Sequence, residues 1–91
     1  MAIAVHFEFA DQSIDKYDDA IAASPDLAHV AERPCHVCYR LGANGFGIFD
    51  VWESEESFRH FAAILGPVLD KVGLTFVEPK INAVHNLIVE P

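Results

Sequence analysis

From Ile3 to Phe9 the chain alternates, with Ile3, Val5, Phe7 and Phe9 on one side and Ala4, His6 and Glu8 on the other, which predicts a strand. The period then lengthens. Ile14, Tyr17 and Ile21 recur at helical spacing while Asp15, Lys16, Asp18 and Asp19 take the wet side, so Ser13 is placed to cap a helix running to about Ser24, and Pro25 ends it. After a connection over Pro25 to Pro34, Cys35 to Leu41 and Gly47 to Glu53 read as two strands joined around Asn44-Gly45, a strong hairpin signal between apolar runs. Ser54 is placed to cap a long helix. Glu55 and Glu56 favour the positive end of its dipole, and Phe58, Phe61, Ala62, Leu65, Leu69 and Val72 form its apolar stripe. Gly66-Pro67 predicts a kink or brief interruption, Gly73 a left-handed end, and Thr75 to Pro79 a connection into a last strand over Ile81 to Val89.

The order β-α-β-β-α-β predicts an α+β, ferredoxin-like fold: a four-stranded antiparallel sheet with two helices on one face, formed by residues 1–91 as a single domain. The other sheet face then needs a cover. Gly47, Phe49, Val51 and Glu53 alternate with Ile48, Asp50 and Trp52, and the last strand mixes Ile81, Ala83, His85, Leu87 and Val89 with Asn82, Val84, Asn86 and Ile88, so neither side is polar enough to stay wet. Apolar residues make up 52% of 91, with seven Phe, more than so short a chain hides in its own core. A homodimer pairing sheet to sheet is therefore expected.

A formal charge of −8 with only six Lys and Arg excludes a basic stripe for a phosphate backbone, so no nucleic-acid partner is expected. The apolar runs are too short to span a membrane, and His6 and Glu8 interrupt the place where a signal peptide needs an unbroken apolar stretch. A soluble, cytoplasmic protein is expected. Cys35 and Cys38 form a C-x-x-C, but three residues apart in a strand they point to opposite faces and neither bridge nor share a metal. Five scattered His show no ligand spacing, so neither a metal nor a cofactor is expected.

The run Asp50-Val-Trp52-Glu53-Ser54-Glu-Glu-Ser-Phe58, with Phe61 beyond it, resembles the dimeric α/β-barrel superfamily that includes the antibiotic biosynthesis monooxygenase-like proteins. The ending Val84-His85-Asn86-Leu-Ile88 resembles that of small members of the same superfamily. The resemblance implies two copies closing their sheets into a barrel. Relatives include cofactor-independent quinol oxygenases, haem-degrading oxygenases, muconolactone isomerases and chlorite dismutases. Haem-degrading members carry a helix Trp and a His where Phe61 and Lys71 stand here, and many monooxygenase-like members carry a His at the Phe61 position, one residue from His60.

With Val5, Phe7, Phe49 and Val51 taken to face the helices, His6, Glu8, Asp50 and Trp52 face the barrel interior, an apolar hollow with a few polar groups. His6 and Asp50 then read as an imidazole oriented by a carboxylate, able to take a proton from a phenol or enol, or as a satisfied structural pair. His85 is a second candidate base, or an interface residue, and Trp52 a stacking surface or plain core. A two-residue turn at Asn44-Gly45 sets Tyr39 opposite Asp50, whereas a three-residue loop sets Cys38 there and turns Arg40 inward, so Tyr39 and Arg40 are alternative ligand contacts. His29, His36 and His60 read as surface or structural. Two functions follow: a cofactor-free, monooxygenase-like enzyme acting on an aromatic or phenolic small molecule, or a non-catalytic dimer that binds a small hydrophobic ligand or serves as a structural partner.

Overall fold

The computed structural model describes residues 1–90. Its elements are β1 (Ile3–Phe9), α1 (Asp15–Ala23), β2 (Cys35–Leu41), β3 (Gly45–Trp52), α2 (Glu55–Val72) and β4 (Lys80–Ala83), with one 3₁₀ turn at Pro25–Ala28. The strands form one antiparallel sheet in the order β2-β3-β1-β4, the ferredoxin-like arrangement expected from the sequence. Among the described residues no helix is long and apolar enough to cross a membrane.

Local chemistry sets the element ends. The Ser54 hydroxyl accepts from the Ser57 N–H at 3.1 Å, capping α2, and Gly73 closes that helix at φ 76°, where a side chain is disfavoured. Ser13 acts one step earlier than a cap of α1, its hydroxyl accepting from the Asp15 N–H at 3.2 Å while Ile14 holds the cap position. Of the kink or interruption expected at Gly66-Pro67, the interruption is absent: α2 is continuous there, with Phe58 and Leu69 of its stripe buried on either side of the proline.

The last strand is shorter than expected. In the register Ile3, the first residue of β1, faces Ala83, and just beyond it the Val84 N–H donates to the Ala2 carbonyl. Residues 85–90 lie outside the sheet, with Leu87, Ile88 and Val89 exposed.

The β1–β3 register decides which side of the sheet is which. Phe7 stands opposite Ile48, Val5 opposite Asp50 and Ile3 opposite Trp52, and directly opposed residues share a face. Asp50 and Trp52 therefore lie on the helix side with Ile3, Val5, Phe7, Phe9 and Phe46, all buried, while Phe49, with His6 and Glu8, lies on the open side. This reverses the expected assignment of Phe49 and Val51 to the helix side. Phe46, Ile48 and Trp52 are the larger apolar set, and burying them carries Asp50 inward with them.

Candidate functional site

The site begins at the β2–β3 hairpin. Gly42 takes φ 57°, the loop spans Gly42 to Asn44, and Leu41 pairs with Gly45, which sets His36 opposite Asp50 on the helix side. His36 Nδ1 lies 2.6 Å from Asp50 Oδ1. From α1, the Tyr17 hydroxyl lies 2.7 Å from His36 Nε2, its ring nearly parallel to the imidazole at a centroid distance of 5.9 Å. An ionised carboxylate has no proton to give, so Nδ1–H donates to Asp50 and Nε2 accepts from Tyr17. The result is an ordered relay, Tyr17 O–H to His36 to Asp50, whose inner end is 3% exposed.

This relay lines a hollow between the sheet and the two helices, walled by Phe7, Phe58, Phe61 and Leu69 among others, with Arg33 as a further polar group. About 50 Å³ of it is reachable by the centre of a water molecule. Burial raises the Tyr17 pKa, as do Cys38, Asp50 and Asp18, while the Arg33 guanidinium opposes the rise. Burial raises the Cys38 thiol as well, with Asp18 adding and Arg40 opposing. Arg33 is buried against two rings, its Cζ 5.8 Å from the centroid of Trp52 and 5.5 Å from that of Phe61, and its Nη2 donates to the Leu27 carbonyl at 2.8 Å.

The candidates read from the sequence divide between the two faces of the sheet. Asp50 belongs to the relay, but His6 is not its partner: His6 stands opposite Phe49 on the open face and bonds the Tyr39 hydroxyl through Nε2. Tyr39 therefore turns away from the relay. A Cβ on Gly47, directly opposite, would run into the Tyr39 ring, so the glycine is what lets that ring lie across the strand toward His6. Arg40 shares the helix side but is exposed, at the rim by Asp11 and Asn44 rather than in the hollow. The hairpin loop has the three-residue length considered, but it lies at Gly42 to Asn44, so His36, rather than Tyr39 or Cys38, faces Asp50. Trp52 is fully buried against Phe58 and Phe61 and borders a second, outer groove with His60. His85 is exposed beyond the end of β4.

Tyr17, Arg33 and His36 are the polar lining that the sequence reading did not single out. Gly42 was the available signal for His36: a glycine after Leu41 suits a left-handed loop start, and that register carries the second strand three residues along relative to an Asn44-Gly45 turn. Tyr17 had a weaker one, as the polar-tipped member of an otherwise aliphatic stripe. Among the described residues no three His, Cys, Asp or Glu side chains gather as a metal site.

No family model matches the chain, and no curated protein matches it in sequence. Solved structures match its fold. SnoaB, a cofactor-independent oxygenase from Streptomyces nogalater, superposes with a TM-score of 0.66 over 98% of this chain and 97% of its own, at 16% identity. NE2512, a protein of unknown function from Nitrosomonas europaea, superposes with a TM-score of 0.59 over 99% of this chain and 91% of its own, at 21% identity. At such identities the likeness extends to the fold.

Proposed function

We propose that the protein is a cofactor-independent, monooxygenase-like enzyme acting on a phenolic aromatic molecule, with His36 as the base. The observation that carries this reading is the Tyr17–His36–Asp50 relay opening into an aromatic-walled hollow. A phenol whose hydroxyl displaces that of Tyr17 from Nε2 gives its proton to His36, and Asp50 holds the imidazolium that forms. The phenolate passes one electron to dioxygen, the two radicals couple at a ring carbon that carries hydrogen, the His36 imidazolium returns its proton to the resulting peroxide, and the hydroperoxide loses water. One oxygen atom stays as a quinone carbonyl and the other leaves as water. The fold shared with SnoaB supports the same reading.

The protein is proposed to work as a pair of copies with their open sheet faces together. Val37 and Phe49 are 46% and 38% exposed on that face, and Leu87, Ile88 and Val89 project from the unpaired end of the chain.

One observation favours a non-catalytic reading: only about 50 Å³ of the hollow is open to the centre of a water molecule, so a polycyclic ring system enters only if side chains move. Oxygen uptake with a panel of quinols separates the two. His36→Ala is expected to lower turnover by about 10²–10⁴-fold, while His6→Ala, on the opposite face, leaves it unchanged. Absence of turnover by the unmodified protein with every quinol overturns the enzymatic reading.

A further inference from the structure

Two buried side-chain polar atoms among the described residues have no hydrogen-bond partner, Arg33 Nε and Trp52 Nε1. Both are donors, and they are neighbours, since the Arg33 guanidinium lies 5.8 Å from the Trp52 ring centroid. Arg33 is 8% exposed and Trp52 0%. Of the 14 acidic residues in the chain, none forms an ion pair with Arg33 among those described. A guanidinium withdrawn from water is strongly disfavoured without an anion to meet it, and stacking on Trp52 and Phe61 offsets only part of that cost. The two donors stand in the partition between the relay hollow, which Arg33 lines, and the outer groove, which Trp52 lines, with Leu27 and Phe61 bordering both.

We infer that Arg33 and Trp52 form the anion-binding end of the ligand site and that the ligand is a hydroxylated aromatic carboxylic acid. The planar fork of arginine matches a carboxylate, and the indole N–H stands beside it as a further unpartnered donor. The ring lies against the apolar walls, and the ring hydroxyl meets His36; that last contact rests on the function proposed above, whereas the carboxylate contact does not. The chain's charge of −8 repels anions at long range, so any preference for an acid over its neutral analogue arises locally.

Calorimetric titration with the three hydroxybenzoate isomers and the three matching hydroxybenzamides, at neutral pH, tests this on the unmodified protein. At least one acid is expected to bind about tenfold tighter than its amide, the worth of one charge-assisted hydrogen bond. Arg33→Gln is expected to bring that ratio below about threefold, and His36→Ala to leave it in place. If acids and amides bind alike, the anion-binding end is overturned while the hollow stands as a ligand site. If neither binds, the inference falls with that site. A ratio that survives in a folded Arg33→Gln protein also overturns it. Should that variant fail to fold, the acid-to-amide ratio of the unmodified protein decides alone. Quinol turnover is read separately, so loss of the oxygenase reading leaves this measurement intact.

Discussion

The Asp50 carboxylate accepts a hydrogen bond from His36 Nδ1 at 2.6 Å because the hairpin register sets these residues directly across from each other on the helix side of the sheet. Two neighbouring strands thus fix both the position and the tautomer of the imidazole, and strands hold such a pair more rigidly than loops do.

Replacing Asp50 with Asn tests this orientation. The amide has lost the charge that stabilises an imidazolium and no longer requires Nδ1 to be the donor, so kcat should fall by about 10²–10⁴-fold with little change in KM. The imidazole nitrogen shifts of His36 in NMR spectra should report a changed tautomer or orientation, and unchanged shifts would deny Asp50 its positioning role.

On the other sheet face, Gly47→Ala should displace the Tyr39 ring and break its bond to His6 while the fold survives, because the obstructing atoms are at the free end of a side chain. Urea denaturation should show a loss of about 0.5–1.5 kcal/mol, the net worth of one hydrogen bond. Turnover should be unaffected, since the pair lies across the sheet from His36.

Alkaline stability has a defined sign. The pKa of Cys38 is raised above its ordinary 9.0 and that of Tyr17 above 10.0, so the folded chain holds protons that the unfolded chain releases in this range. Their stabilisation is complete below pH 9 and is lost as pH rises through the raised values. Thermal denaturation followed from neutral pH to above 10 should show a declining midpoint, and Tyr17→Phe with Cys38→Ala should flatten that decline.

Association is expected through the open face and the unpaired end. Sedimentation at micromolar concentration should give a dimer, and removing the chain after Asn86, with its exposed Leu87, Ile88 and Val89, should weaken it. A compact 10.1 kDa monomer before truncation would count against the paired assembly.

The element order and most element bounds were legible in the sequence because they rest on local chemistry. Alternation marked Ile3–Phe9, Ser54 and Gly73 bounded α2, and strand-forming residues after Pro34 marked Cys35–Leu41. The site was not legible in the same way. A strand's two faces carry no label in one dimension, and in Gly47 to Glu53 both faces were apolar enough to pass for core, so only the pairing of Val5 with Asp50 and Phe7 with Ile48 turned Asp50 inward. The same register separated His6 from Asp50 and supplied His36 instead, and the packing of α1 on the sheet brought in Tyr17 from 19 positions away. The extent of the last strand was a tertiary matter too: Leu87 to Val89 have the composition of a strand, but the pairing with β1 runs only over Lys80–Ala83 and leaves them exposed. Composition and period set what each segment can become, while register and packing decide which side chains meet.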